Sequence, residues 1–376
     1  MFSDVTYLRK MEVLPERGKE MDAVFKKKKI SGILTVLPEK ESYFDDEIGN
    51  YDFPEKQTKR LKKVMGFHKH RLAKETSTAS DFCVEGLHCL LRQEKIKREE
   101  IGAVIAVGLS PDYFLPQISN IIHGKCDLPR EVLCIDMPQG CCGYLLGLME
   151  AFLLLDHMGD KKVVLFNTDV LSHKVSRHDR NDFPLVGDLT TVTVVENDSQ
   201  GDEIYFRLWA DGAHREVLMI PAGGYAMPCT PETARMEMTD DGNRRSLDNL
   251  HMNGGEVFNF VQREVPPMLM DMFIKYGIDK ERLDYYLFHQ PNKFMLQKLA
   301  DQINVPYEKL FMNVVEEYGN PSGASIPAVI VRNLKEQMVK GMYDCCLSAF
   351  GSGLTWGALI MKLGNMDFCE IMQTEL

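Results

Sequence analysis

The chain has 376 residues, 44% of them hydrophobic and 26% charged, with a formal net charge of -11. That length allows two ordinary domains or one large duplicated one, and the apolar share points to a soluble globular protein with a sizeable core. The acidic balance argues against nucleic acid as a partner, and no apolar run is long enough for a membrane span.

Residues 1–28 read as an N-terminal extension that is charged and runs into the basic stretch Lys26-Lys27-Lys28-Lys29, a solvated face by composition. The start, Met1-Phe2-Ser3-Asp4, has no secretory signal. The ten cysteines are scattered, include the adjacent pairs Cys141-Cys142 and Cys345-Cys346, and form no CxxC pair. They are expected to be reduced and to bind no metal, which places the protein in the cytoplasm.

From Ile30 the pattern becomes globular, and short β-rich runs alternate with helical ones. Helical periodicity covers Asp81 to Gln93. Ile96 to Ile101 leads into a strand at Ala103 to Val107, Leu128 to Leu133 leads into a strand ending at Cys134-Ile135-Asp136, and a very apolar helix covers Leu145 to His157. Lys162 to Phe166 and Thr191 to Val195 follow as strands, with Gly187-Asp188 as a turn between them. Asn197-Asp198-Ser199-Gln200-Gly201-Asp202 is the clearest loop signal and sets a boundary, giving halves of 29–200 and 201–376. In the second half, Gly255 to Lys275 and Ser325 to Val339 are helical.

The two halves echo each other. Ile278 to Phe288 parallels Ile96 to Val107, Val305 to Leu310 parallels Leu128 to Leu133, and Asp344 to Ser348 parallels Lys162 to Phe166. The offset of about 180 residues indicates an internal duplication. Strands alternating with helices imply parallel sheets covered on both faces. Two such halves give an α/β protein of five layers, α-β-α-β-α, with a site where they meet.

Three separated stretches supply chemistry. Gln139-Gly140-Cys141-Cys142-Gly143 is a turn ahead of the apolar helix. The helix N-terminus aims its dipole at Cys141 and is expected to lower the thiol pKa, whereas Cys142, one step on, faces packing. His289 sits between the strand Tyr285 to Phe288 and Gln290-Pro291-Asn292. Proline holds the residue before it extended, so His289 belongs to a strand-to-helix turn, where parallel-sheet proteins put reactive groups. Asn320 lies in Gly319-Asn320-Pro321-Ser322-Gly323 ahead of a helix. A thiol can form a thioester, and two neutral N–H donors can hold the negative charge of an enolate that a carboxylate would repel.

With these residues in place, the chain from about Lys29 resembles the β-ketoacyl-acyl carrier protein synthase III branch of the thiolase-like condensing enzymes. The resemblance runs through Gln139 to Tyr144, Asp169-Val170-Leu171, Val186-Gly187-Asp188, His251 to Phe258, His289 to Asn292, Gly319 to Pro327 and Ala349 to Gly357. It implies a thiolase-like fold, a homodimer with a sheet continuous across the interface, and ping-pong acyl transfer. It casts Cys141 as the acylated nucleophile, His289 and Asn320 as the pair that supports decarboxylation, and Phe350 as the aromatic beside them. The backbone N–H groups of Cys141 and Ser352 would form the oxyanion hole. No cofactor is held permanently, and the substrates are thioesters on the phosphopantetheine of acyl carrier protein or on coenzyme A.

The departures from the family pattern bear on the donor. Arg60 stands where coenzyme A users carry an adenine-stacking tryptophan, and Phe294, beside Lys293, where they carry an arginine. Leu115 takes the acyl-pocket position of a bulkier phenylalanine. Lys56, Lys59, Arg60, Lys62, Lys63, Lys69-His70-Arg71 and Lys293 make the best dock for an acidic carrier protein, or else are solvated surface. Two other readings use the same fold. A non-condensing acyltransferase would acylate an amine or hydroxyl with His289 as base and no need of Asn320, and a non-catalytic partner subunit would have lost one of the three residues.

Overall fold

The computed structural model describes residues 22–376. Two sheets form its centre, built from β1 (Asp22–Phe25), β2 (Lys28–Pro38), β3 (Ile101–Val107), β4 (Leu133–Met137), β5 (Lys162–Asp169), β6 (Leu189–Asn197), β7 (Ile204–Ala210), β8 (Tyr285–Phe288), β9 (Met342–Gly351), β10 (Thr355–Gly364) and β11 (Phe368–Thr374). The six-stranded sheet runs β11-β2-β6-β5-β3-β4 and the five-stranded sheet β1-β7-β10-β9-β8. The helices that matter to the site are α1 (Glu55–Met65), α2 (Ala79–Arg92), α3 (Ile118–Lys125), α4 (Gly143–Leu155), α5 (Gly254–Tyr276), α6 (Lys293–Ile303) and α7 (Ser325–Lys340).

The duplication is visible in the strand directions. Along β2-β6-β5-β3 the pairings are antiparallel, antiparallel, parallel, and along β7-β10-β9-β8 they are the same. The first sheet then continues to β4, pairing parallel with β3, and the second sheet ends at β8.

Hydrophobic packing explains the layering. α4 and α7 lie between the sheets, where Leu145, Leu148 and Phe152 of α4 and Ile326, Ile330 and Leu334 of α7 join one core with both inner sheet faces. α2 and α3 cover the outer face of the first sheet, and α5 and α6 the outer face of the second. α4 is apolar around most of its circumference because sheets lie on both sides of it. Burying one such leucine contributes about 1.5–3 kcal/mol, so several of them fix the helix and the turn in front of it. Side chains of a strand alternate between faces. Cys345 therefore points to the inner core and Cys346 to the outer one, and this adjacent pair is held apart by the sheet.

The termini cross over between the sheets. β11, the last strand of the chain, pairs parallel with β2 at the edge of the first sheet. β1 falls inside the segment read as an extension, yet it pairs antiparallel with β7 at the edge of the second. Arg207, 1% exposed, donates from Nε and Nη2 to the two carboxylate oxygens of Asp22 at 2.6 and 2.8 Å. Burial pushes the Asp22 carboxyl up, but its bonds to Arg207 and Lys275 outweigh that and hold it below its ordinary value. Phe25 packs on Phe152 of α4 with ring centres 5.3 Å apart. The arm thus joins the core from Asp22 onward.

Candidate active site

Cys141 sits in the turn between β4 and α4, and Cys142 is the N-cap of that helix. The Cys142 thiol is 2% exposed and donates to the Thr355 carbonyl at 3.2 Å, so it faces packing as expected. Cys141 instead lines a cavity of about 850 Å³ together with His289, Asn320 and Phe350. The three residues read from separate parts of the sequence therefore meet in one place.

Backbone packs closely around the sulfur. A Cβ on Gly351 would lie 2.4 Å from the Cys141 Sγ, so only glycine leaves room for the thiol. The backbone N–H groups of Ser352 and of Cys141 itself both act on the thiol.

The thiol is not activated in the way the helix dipole suggests. Burial pushes Cys141 up to about 11, and the two N–H groups only partly oppose that shift. Asp169 at the end of β5 adds to it, and burial in turn drives Asp169 up to about 6 despite bonds from Leu109 N–H and from the hydroxyls of Ser110 and Ser322. The dipole effect, about 0.3–1 kcal/mol, is smaller than the loss of water around a sulfur enclosed by backbone. The resting site accordingly holds a protonated thiol. At pH 8 Cys141 should carry on the order of a hundredfold less thiolate than an ordinary cysteine. Its alkylation by iodoacetamide, followed residue by residue by mass spectrometry, should keep rising to about pH 11. A plateau at or below pH 9 contradicts this account.

His289 ends the extension of β8, its N–H donating to the Ser348 carbonyl of β9 at 2.9 Å. Pro291 delays the helix as its ring geometry demands, and Asn292 caps α6 through the Met295 N–H at 2.8 Å. The imidazole is 1% exposed, lies edge-on to Phe350 at 5.7 Å, and has its Nδ1 2.7 Å from the Ser325 hydroxyl. Burial lowers its pKa to about 3, against a smaller opposing effect of the Ser322 backbone, so the ring is neutral at working pH.

Asn320 is held by an isolated parallel bridge to Val186. Its N–H donates to the Leu185 carbonyl at 2.6 Å, and its carbonyl accepts from the Gly187 N–H at 3.2 Å. The neighbouring Gly319 has φ +81°, and a Cβ there would meet the Gly187 backbone at 2.7 Å, so a larger residue would force the two segments apart. The Asn320 side chain is oriented as well. Its Oδ1 accepts the Ser322 N–H at 3.0 Å, which leaves the amide N–H groups for the cavity.

Three other groups of expected site residues are placed as follows. Leu115 is 79% exposed on a loop with Tyr113 and Phe114 and does not line the cavity of its own chain. In the Lys69-His70-Arg71 run, His70 and Arg71 are buried, with Lys69 and Arg71 ion-paired to Glu41 and His70 hydrogen-bonded to Glu47, so these side chains are engaged within the chain. Lys59, Lys62 and Lys293 are engaged by Glu55, Asp45 and Glu316. Lys56, Arg60 and Lys63 remain as exposed cations of α1 without an ion-pair partner among the described residues.

The cavity wall is apolar and acidic. Leu61, Val64 and Met65 of α1 line it, as do Phe258 and Phe294, which stack with centres 5.4 Å apart. Its one lining guanidinium, Arg245, is shared by Asp179, Asp182 and Asp241, while Glu216 and Asp240 add further carboxylates.

Comparison with known proteins agrees with this arrangement. Residues 274–363, which include His289 and Asn320, match the family described as 3-oxoacyl-[acyl-carrier-protein (ACP)] synthase III C terminal. A Campylobacter jejuni protein provisionally named 3-oxoacyl-[acyl-carrier-protein] synthase 3 is 29% identical over 347 residues, 92% of this chain and 97% of the relative. The β-ketoacyl-[acyl-carrier-protein] synthase III of Natranaerobius thermophilus is 29% identical over 302 residues, 79% of this chain and 88% of its own. The crystal structure of a 3-oxoacyl-(acyl-carrier protein) synthase from Burkholderia xenovorans superimposes with a TM-score of 0.86 at 29% identity, covering 94% of this chain and 99% of that one. These likenesses support a β-ketoacyl-acyl carrier protein synthase III-like condensing enzyme. This condensing enzyme has the thiolase fold and is an acyltransferase. Among its described residues no helix is long and apolar enough to cross a membrane. Ser322 and Ser325 bond to Asn320 and His289, and Asp169 acts on the Cys141 thiol electrostatically, although sequence reasoning gave them no role. The only available signal was the position of Asp169 at a strand end and of the two serines in the turn before α7.

Proposed function

We propose that Cys141 takes an acyl group from a thioester and that malonyl on acyl carrier protein then attacks it with loss of CO2. In the first half-reaction the Cys141 sulfur displaces the carrier sulfur from the acyl carbonyl, and the thiol proton leaves on the released carrier thiol. The N–H groups of Cys141 and Ser352 receive the carbonyl oxygen. In the second, the bond to the malonyl carboxylate breaks, CO2 departs, and its electron pair makes an enolate. That enolate forms a carbon–carbon bond to the acyl carbonyl and expels the Cys141 sulfur, which regains a proton.

The observation that carries this reading is the pairing of a thiol with two neutral donors in one cavity. Ser325 accepts the Gln290 N–H, weakly at 3.4 Å, and lies 2.7 Å from the His289 Nδ1; with its hydroxyl donating to that nitrogen, the ring proton would sit on Nε2. The Asn320 amide is turned the same way by Ser322. Both can meet the enolate oxygen without a charge of their own. Intact-mass and product analysis with an acyl donor plus malonyl carrier protein tests the proposal. A 3-oxoacyl product with stoichiometric CO2 is expected, and an acylated amine or hydroxyl in its place means a non-condensing acyltransferase.

The cavity wall supports a carrier protein as the donor. Coenzyme A would bring its phosphates toward Glu216, Asp240 and Asp241, with Arg245 already engaged. An adenine-stacking ring and a phosphate-binding arginine would contribute about 0.5–1.5 and 1.5–3 kcal/mol; at the first of these positions Arg60 offers no ring, and at the second Phe294 offers no guanidinium. Their absence weakens coenzyme A binding by about 30- to 1000-fold. Lys56, Arg60 and Lys63 are the cations left to attract an acidic carrier, an attraction that salt screens. With matched acyl groups, the carrier-protein thioester should acylate Cys141 faster than the coenzyme A thioester, by a margin that shrinks as ionic strength rises. Equal or faster acylation by coenzyme A contradicts this.

A homodimer belongs to the same reading. Tyr113, Phe114 and Leu115 are 62%, 72% and 79% exposed, and Phe114 touches the exposed Tyr225. Such an apolar patch is suited to cover by a second copy, where Leu115 would reach a partner's acyl pocket. The ten unpaired cysteines favour a reducing, cytoplasmic setting, in fatty acid or polyketide synthesis.

A further inference from the structure

A buried polar relay leads from α1's neighbourhood to the back of the active site. His70 is 1% exposed and Glu47 4% exposed, and the His70 Nε2 is 2.7 Å from the Glu47 carboxylate. Glu47 also accepts from Ser42 and, at 3.2 Å, from the Tyr51 hydroxyl. On the other side of the ring, Nδ1 lies 2.5 Å from the Val186 carbonyl. A carbonyl oxygen can only accept. A proton therefore sits on Nδ1 wherever the one between Nε2 and Glu47 lies. Phe183 meets the imidazole edge-on at 5.3 Å and closes the pocket around it.

Val186 is also the residue to which Asn320 is bridged. Leu185 accepts from the Asn320 N–H and Gly187 donates to its carbonyl, so the peptide that His70 grips lies between the two bonds that hold Asn320. The strand carrying His70 touches both segments as well, through Arg71 N–H to the Tyr318 carbonyl at 3.0 Å and Asp188 N–H to the Arg71 carbonyl at 2.8 Å. His70 does not line the cavity and does not reach the reacting atoms.

We infer that His70, braced by Glu47, is a positioning residue for Asn320, acting through the Val186 carbonyl to hold the amide where the enolate oxygen develops. The inference rests on the role proposed above for Asn320. It assigns the second half-reaction, and not the first, a dependence on a side chain outside the cavity. Positioning matters because a small misplacement of a preorganised group can cost on the order of 100-fold in rate.

Two substitutions separate the two ring nitrogens. In His70→Asn the side-chain amide replaces Nδ1 and can still donate to Val186. In His70→Gln the amide reaches the Nε2 position, keeping Glu47 and losing Val186. CO2 release from malonyl carrier protein should fall about 10- to 100-fold in His70→Gln and stay within about threefold of the parent in His70→Asn, while acylation of Cys141 changes little in either. Thermal melting, read on both, shows whether the effect follows stability. Equal losses in the two variants, losses that track melting temperature, or a parallel loss of acylation overturn the inference. If neither variant folds, Glu47→Gln decides, since it leaves the Val186 bond in place: retained CO2 release supports the relay through Val186, and a loss as large as that of Asn320→Ala overturns it. Asn320→Ala in the same assay keeps the two claims apart, because full CO2 release there removes the role of Asn320 itself.

Discussion

A Cys141→Ser variant incubated with an acyl thioester should gain no acyl mass, whereas Cys142→Ala should become acylated like the parent. The two sulfurs are neighbours in sequence and opposite in situation. Cys141 lines the cavity beneath the N–H groups that would receive the carbonyl oxygen, and Cys142 is spent on the Thr355 carbonyl inside the packed interface of the halves. Serine at 141 keeps the volume but offers a far weaker nucleophile without a base to deprotonate it. Intact-mass spectrometry reads the result directly. Acyl mass on the Cys141 variant, or its absence from Cys142→Ala with the fold retained, reverses the assignment.

The two donor residues should behave differently from the nucleophile. His289→Ala and Asn320→Ala are each expected to self-acylate at Cys141 and to release about 10²–10³ less CO2 from malonyl carrier protein, the usual consequence of removing one donor from a developing oxyanion. The neutral state of the ring supports this division. A histidine held down to about 3 by burial remains uncharged across the working range, so in the proposed reaction it would donate a hydrogen bond without drawing the malonyl carboxylate into a competing ion pair. Separate measurement of acyl loading and CO2 release checks it. Losses of similar size in both half-reactions would place His289 in general acyl transfer instead.

Much of this site could be read from the sequence because turn chemistry is local. Pro291 dictates where α6 begins, and the turn before an all-apolar helix dictates which cysteine is reachable. The helical spans fell within about two residues of those observed, the uncertainty inherent in helix ends. What could not be read depends on distant atoms. The basic look of Lys69-His70-Arg71 gave no sign of the half-buried Glu41 and the buried Glu47 that meet it. Leu115 was placed by position alone, and its loop turns outward from its own cavity. The thiol of Cys141 was judged by one nearby dipole, while its protonation follows from burial, with the Ser352 N–H opposing it and the Asp169 charge adding to it from distant parts of the chain. The pairing of β11 with β2 joins residues more than three hundred positions apart and has no local signal.

That crossing of the termini has a consequence for synthesis. β2 emerges early, pairs with β6 at the end of the first half, and must then wait with its other edge open until β11 leaves the ribosome. β7 is likewise flanked by one of the earliest strands and by β10, one of the latest. Neither repeat can therefore close its own sheet while the other is missing, although each descends from the same pattern. Contacts so distant in sequence make closure late and slow, and an open strand edge invites pairing with another chain meanwhile. A polypeptide cut near residue 200 would not yield two miniature enzymes. It would yield two fragments, each carrying the strand that seals the other.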